Sequence, residues 1–160
     1  STGSPKGIVH DHLSFASSAY RSAKAFGYTP EDIYLSNLPF HFIAIIEDVF
    51  ALLYAGGAIH LNSEDGRKDI HRIEDAIATH HITATLISPQ MMKLFKNKSD
   101  TLRLVLCGSE RVSNVKGNGY ELYNIYGSSE TTPALPILKS TGNTITRLSE
   151  KHLKECMFMC

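Results

Sequence analysis

The chain has 160 residues, 42% of them apolar and 20% charged, and its sixteen basic and sixteen acidic side chains cancel. These are the proportions of a globular domain long enough to bury a core, with no apolar run near the roughly 20 residues of a membrane helix and no net field to attract nucleic acid or an anionic membrane. Three cysteines, Cys107, Cys156 and Cys160, show no CxxC spacing, which argues against a zinc site or a disulfide framework; with no signal-like start, a reducing, cytoplasmic setting is expected.

In chain order, "STGSPKGIV" leads into His10–Phe26, where Leu13, Ala16, Tyr20, Ala23 and Phe26 recur every three or four residues and Gly27 follows as a stop. That spacing predicts a helix. "IYLSNLPF" reads as a strand ending in a loop, Ala44–Tyr54 as a second helix closed by Gly56 and Gly57, and "AIHL" as a short buried strand. Beyond the polar "SEDGRKD" loop, Ile70, Ile73, Ala76 and Ile77 mark a helix ending near His80 and His81. "ITATLIS" is then a strand, "PQMMKLFK" a short helix with Pro89 in its first turn, "LRLVLCG" and "ELYNIYG" strands, and "PALPIL" extended. "SERVSNVKGNGY" is too polar and glycine-rich for a packed helix, and "SEKHLKECMFMC" suits a frayed amphipathic one. Strands alternating with helices predict an α/β fold with a largely parallel sheet flanked by helices, whose ligands gather at the carboxyl ends of the strands.

Two stretches carry chemistry. "STGSPKG" offers glycines that let backbone N–H groups approach an anion, hydroxyl donors and the mobile cation of Lys6, but it lacks the P-loop spacing and reads equally as a flexible terminus. "YNIYGSSETT", Tyr123–Thr132, offers an aromatic face, a turn glycine, several hydroxyls and the carboxylate of Glu130, which suits a hard cation. It reads equally as a strand leading into a polar turn.

In this order the two stretches resemble the signatures of the adenylate-forming superfamily, which includes acyl-CoA synthetases and the adenylation domains of nonribosomal peptide synthetases. "STGSPKG" resembles the second half of the phosphate loop [ST]SG[ST]TGxPKG. Asn124, Tyr126, Gly127 and Glu130 match NxYGxTE, with Ser129 where Thr is usual. "LRLVLCGSE" is similar to the strand and GGE-like turn beside the adenine, "FHFIAIIEDVFALLYAGGAIHL" to the substrate-side helix and strand, and "DIHRIEDAIATHHITATLISPQMMKLF" to the elements that follow. The resemblance covers residues 1–138 as a partial AMP-binding domain and leaves 139–160 as an unassigned tail.

The resemblance implies ATP- and Mg2+-dependent activation of a small carboxylic acid as an acyl-adenylate, followed by transfer to a thiol, either CoA or the phosphopantetheine of an acyl or peptidyl carrier domain. It implies that Ser1, Thr2, Gly3, Ser4, Lys6 and Gly7 belong to the loop closing on the phosphates. Gly108, Ser109, Glu110, Asn124, Gly127 and Ser128 would belong to the ATP site, Tyr126 would stack on adenine, and Ser129 would contact the α-phosphate. Glu130 would hold the metal, so that Lys6, Glu130 and His41 form the expected catalytic set. Amino-acid-activating domains read FDxSxxE where this chain has "FHFIAIIED", and their Asp pairs with the substrate ammonium. Here Ile43 or Phe42 stands at that place, and neither can pair with an ammonium, so a non-amino acyl or aryl acid is expected. His41, within "PFHF", is similar to the histidine of the acyl-CoA synthetase PLFH stretch, and reads otherwise as a core histidine. Leu86, Val105, Cys107, Ile125, Pro133 and Ala134 fall where the family's acyl pocket is lined, and equally suit ordinary core.

The front of the phosphate loop, the TGD-type aspartate, the hinge and the C-terminal domain with its lysine have no counterpart here, and a family helix is missing between Glu110 and Glu121. A central fragment is therefore expected, unable to complete catalysis as a separate chain. An amino-acid-activating fragment with an unusual pocket and a non-catalytic nucleotide-binding remnant are the rival readings. The remaining histidines, His10 and His12 among them, read as solvated.

Overall fold

The computed structural model describes residues 7–108, 117–130, 135–141 and 144–147. Helix α1 (His12–Ala25) starts where the Asp11 carboxylate accepts the Ser14 N–H at 2.6 Å, the N-cap bond that satisfies one of the helix's orphan donors. Its inner face is built of small residues, Ser18, Ala19, Ser22 and Ala23, all buried, which lets the helix lie close against the helical segment at 46–55.

Strand β1 (Ile33–Ser36) is followed by a π-helical turn, Ile46–Phe50, that runs into α2 (Ala51–Ala55). This helix ends at Gly56, whose φ of +87° is a left-handed conformation that an L side chain rarely adopts. Next come β2 (Ala58–Leu61), α3 (Ile70–Thr79), β3 (Ala84–Leu86), α4 (Pro89–Met92), β4 (Leu104–Gly108), β5 (Glu121–Tyr126), β6 (Leu135–Thr141) and β7 (Thr144–Arg147).

The strands form one sheet in the order β2-β1-β3-β4-β5-β6-β7. The first five pair in parallel and the last two antiparallel. The predicted α/β fold with a largely parallel sheet is thus observed, with two corrections. "AIHL" is not a buried strand: β2 lies at the sheet's edge, and its residues are exposed or half-buried. And the chain turns back after β6 into β7, an antiparallel strand absent from the sequence reading. The polar loop 109–116 and the suggested helix at Ser149–Cys160 lie outside the described residues.

Alternation along the strands sends side chains into two cores. Ile73, Ile77, Val105, Cys107 and Leu122 pack on the α3–α4 face. Phe26, Tyr34, Leu52, Leu104, Leu106 and Tyr123 pack on the α1–α2 face. Helix α3 is tied down further by Glu74, which is 4% exposed and accepts the Lys96 N–H at 2.6 Å.

The amino ends of the strands are closed by an ion pair. Asp32, only 2% exposed, accepts Arg103 Nε at 2.7 Å and Nη2 at 2.5 Å, together with the Thr83 hydroxyl at 2.6 Å and the Thr29 N–H at 2.9 Å. Burial pushes the Asp32 carboxyl up, but Arg103 and the two further donors outweigh it and hold the group below the ordinary carboxylate value. Arg103 Nη2 also donates to Gly27 O at 3.0 Å, so the pair fastens the end of α1 to the sheet.

Candidate functional site

The site is built where the parallel strands end. Register pairs Cys107 with Asn124 and Gly108 with Ile125, so "CG" and "NIYG" finish side by side at the carboxyl edge. A Cβ on Gly108 would stand 2.4 Å from Ile125 O and 2.7 Å from its Cγ1. Only glycine lets β4 and β5 pair this far. The pairing of β5 with β6 shifts between Asn124 and Ile125, an irregularity of the kind that re-aims a strand end.

Beyond β5, Gly127, Ser129 and Glu130 are exposed and Ser128 is half-buried, so this stretch presents oxygen-bearing side chains at the sheet's edge. Such hard donors suit a magnesium ion, which takes one or two carboxylates and draws its other ligands from phosphate and water. Among the described residues no three His, Cys, Asp or Glu side chains converge. Helix α1 arrives at the same edge: His10 Nε2–H donates to Ser129 O at 2.8 Å. The segment that carries "STGSPKG" therefore enters the described fold beside the turn that carries "YGSSE".

A second layer of this edge is a polar chain linking three strands. Asn37 donates to Thr85 Oγ1 at 2.9 Å, accepts from Asn62 Nδ2 at 2.9 Å, and Thr85 donates to Leu35 O at 2.9 Å. The turn that follows, Pro39–Phe42, closes with Phe42 N–H donating to Pro39 O and leaves His41 and Phe42 exposed with their rings 5.1 Å apart; Ile43 is half-buried.

The predicted site residues are thus only partly brought together. Gly108, Asn124, Gly127, Ser128, Ser129 and Glu130 share the carboxyl edge, and His41, Phe42 and Ile43 follow the end of β1. Leu86 and Ile125 pack on the α1–α2 face, whereas Val105 and Cys107 are fully buried on the opposite face. These four do not line one cavity. Burial also pushes the Cys107 thiol up to about 12, so it is an inert core group. Gly7 is exposed. Ser1, Thr2, Gly3, Ser4, Lys6, Ser109, Glu110, Pro133 and Ala134 lie outside the described residues, and Tyr126 is described in its backbone alone.

The sequence reading missed three features. His10, expected to be solvated, is half-buried and bonded. Asp48, 1% exposed on the π-helical turn, accepts Tyr34 OH at 2.5 Å and Ser36 Oγ at 3.4 Å. Burial raises its carboxyl to about 7, against which the two hydroxyls pull downward. A signal existed, since Asp48 stands at the Glu place of FDxSxxE when the segment is aligned on Phe42 and Phe50. The third feature is an open, mainly apolar groove of about 670 Å3 between α1 and the turn leading into α2, bordered by His10, Phe15, Phe50, Leu53 and Tyr54.

Residues 1–153 match the AMP-binding enzyme family. Over 132 residues, 82% of the chain, it is 31% identical to surfactin synthase subunit 2 of Bacillus subtilis (strain 168), and over 148 residues, 89% of the chain, 30% identical to the nonribosomal peptide synthetase ivoA of Emericella nidulans. It spans only 4% and 8% of those proteins. Among solved structures, an adenylation domain of a keto acid-selecting nonribosomal peptide synthetase module bound to keto acyl adenylate superposes with a TM-score of 0.71 at 19% identity, over 87% of this chain and 30% of that one. Apo MbtA of Mycobacterium smegmatis gives 0.68 at 24% identity, over 92% and 27%. At these identities the structural likeness establishes the fold.

Proposed function

The chain belongs to the AMP-binding enzyme family, and from that premise we propose that it is part of an enzyme that uses ATP to activate a carboxylic acid. The reading is carried by the convergence at one edge: the β4–β5 register sets Gly108 beside the strand that ends at Tyr126, just before Gly127, and His10, at the entry to α1, meets Ser129. In the reaction, a carboxylate oxygen attacks the α-phosphorus of ATP, pyrophosphate leaves, and the acyl-adenylate then passes its acyl group to a thiol with release of AMP. Such in-line displacement needs charge neutralisation and alignment more than a protein nucleophile. Ser1, Thr2, Gly3, Ser4 and Lys6 would supply the first through backbone N–H groups, hydroxyls and an ammonium. Glu130 would hold Mg2+, which spreads the phosphate charge, and Tyr126 would fix the adenine plane. His41 would stand near the acyl carboxylate.

For the acid, a non-amino acyl or aryl compound is the reading favoured by Phe42 and Ile43, since neither offers a carboxylate to an ammonium. The identities with peptide synthetases favour an amino acid instead, with the acyl acceptor a carrier pantetheine rather than CoA. Calorimetric titration with ATP and Mg2+ tests the nucleotide site. Binding is expected, weakened about tenfold or more in Glu130→Ala by loss of a charge-assisted contact and clearly in Tyr126→Ala. No binding by the unaltered chain, or equal binding in both variants, refutes it. A second titration, of amino, keto and aryl acids in the presence of AMP, separates the two substrate readings.

A further inference from the structure

We propose that His10 is a positioning residue that fixes the turn carrying Ser129 and Glu130 relative to the segment entering α1. The inference takes its purpose from the nucleotide reading above, while its geometry stands apart from it. The Nε2–H of His10 donates to Ser129 O at 2.8 Å, joining residues 119 apart in sequence. A backbone carbonyl can only accept, so the ring serves with Nε2 protonated, and the contact reads the position of the main chain rather than of a side chain.

The base of this tether is rigid. His10 immediately precedes Asp11, whose carboxylate caps the Ser14 N–H at 2.6 Å and whose carbonyl accepts the Phe15 N–H at 3.2 Å, so the backbone leaving His10 is already committed to the helix. Helix α1 has 14 residues and spans ~21 Å. Its far end is held at the opposite edge of the sheet, where Arg103 donates to Phe26 O at 3.4 Å and Gly27 O at 3.0 Å. A helix held by Arg103 at its far end and packed along its length on residues 46–55 becomes a strut, and its leading tip is His10. Through His10 the strut reaches the first residues beyond β5, at the place where a nucleotide would meet the chain. His10 is half-buried and borders the same groove as Phe15 and Phe50, whose rings pack edge to face at 4.7 Å.

Backbone 15N relaxation on the unaltered chain, His10→Ala and His10→Gln tests the proposal without nucleotide. In His10→Ala the order parameters of the 127–130 amides are expected to fall from about 0.85 toward about 0.6, with those of 121–125 and the thermal midpoint unchanged. His10→Gln, whose side-chain N–H can reach the same carbonyl, is expected to restore the turn. Equal order at 127–130 in the unaltered chain and His10→Ala overturns the proposal, as does a loss spread evenly over strand and turn. ATP titration of the same proteins is expected to show several-fold weaker binding in His10→Ala than in His10→Gln. Absence of nucleotide binding in all three, with the order difference preserved, refutes the ATP reading and upholds the tether.

Discussion

The two edges of the parallel sheet are built on opposite plans. At the amino edge Asp32 gathers two guanidinium N–H groups, a hydroxyl and a backbone N–H, all within 3 Å, around a carboxylate withdrawn from water. At the carboxyl edge the strands end in a glycine that permits close pairing, exposed hydroxyls and a carboxylate, and an imidazole N–H bonded to a main-chain carbonyl. The first arrangement satisfies its charge internally and leaves nothing to offer a ligand. The second sets exposed polar side chains at the end of the strands. Helix α1 touches both, so a single element carries the firmness of one edge to the other.

Breaking the amino edge is expected to have the largest effect. Arg103→Ala leaves the Asp32 carboxylate buried without its cation, a loss of about 3–5 kcal/mol in urea unfolding. The pH dependence gives a second signature. Because the Asp32 carboxyl sits below its ordinary 3.8, its stabilisation is complete above that value and is lost as the pH falls through the lowered one. In Arg103→Ala this acid limb flattens.

At the carboxyl edge the largest structural effect belongs to Gly108→Ala, whose new Cβ would meet the Ile125 carbonyl at 2.4 Å, backbone that cannot move without parting β4 from β5. A loss of about 1–3 kcal/mol is expected, read in the same urea titration and accompanied by weakened nucleotide binding. Equal stability would show that the two strands do not need this approach.

At acid pH the smallest effect is expected at Asp48, behind the carboxyl edge. Its carboxyl is raised from 3.8 to about 7, so the folded chain keeps a proton that the unfolded chain releases, and stability falls as the pH rises between those values. Asp48→Asn removes that slope. At the acid end of the range the two proteins differ by no more than about 1 kcal/mol, and they diverge toward neutrality with the amide variant the more stable. Parallel melting curves across the range would contradict the assignment of the slope to this carboxyl.

Elements fixed by local spacing were legible in the chain. The three- and four-residue rhythm of α1 and α3 and the apolar runs of β1, β3 and β4 appear where periodicity puts them. The position of β2 was not, because "AIHL" is apolar in composition and its exposure follows from the strand order. Nor was β7: the polar run through Ser140 and Thr144 carries no alternation that sets it apart from a loop. In the site, the quoted motifs named the carboxyl-edge residues, since short contiguous patterns encode such turns. Val105 and Cys107 are grouped with Leu86 and Ile125 by the family resemblance, whereas the pleat sends them to opposite faces. The pairs Asp32–Arg103 and His10–Ser129 span 71 and 119 residues, and no local rule reaches across such distances.

In the proposed function the carboxyl edge binds the nucleotide and the amino edge only holds the sheet. Mapping amide chemical shifts during titration with ATP and Mg2+ tests it most directly. Shifts are expected to concentrate at Gly108 and residues 124–130, with Asp32, Thr83 and Arg103 unmoved. Shifts centred on Asp32 and Arg103, or none at residues 124–130 at saturating nucleotide, would contradict it.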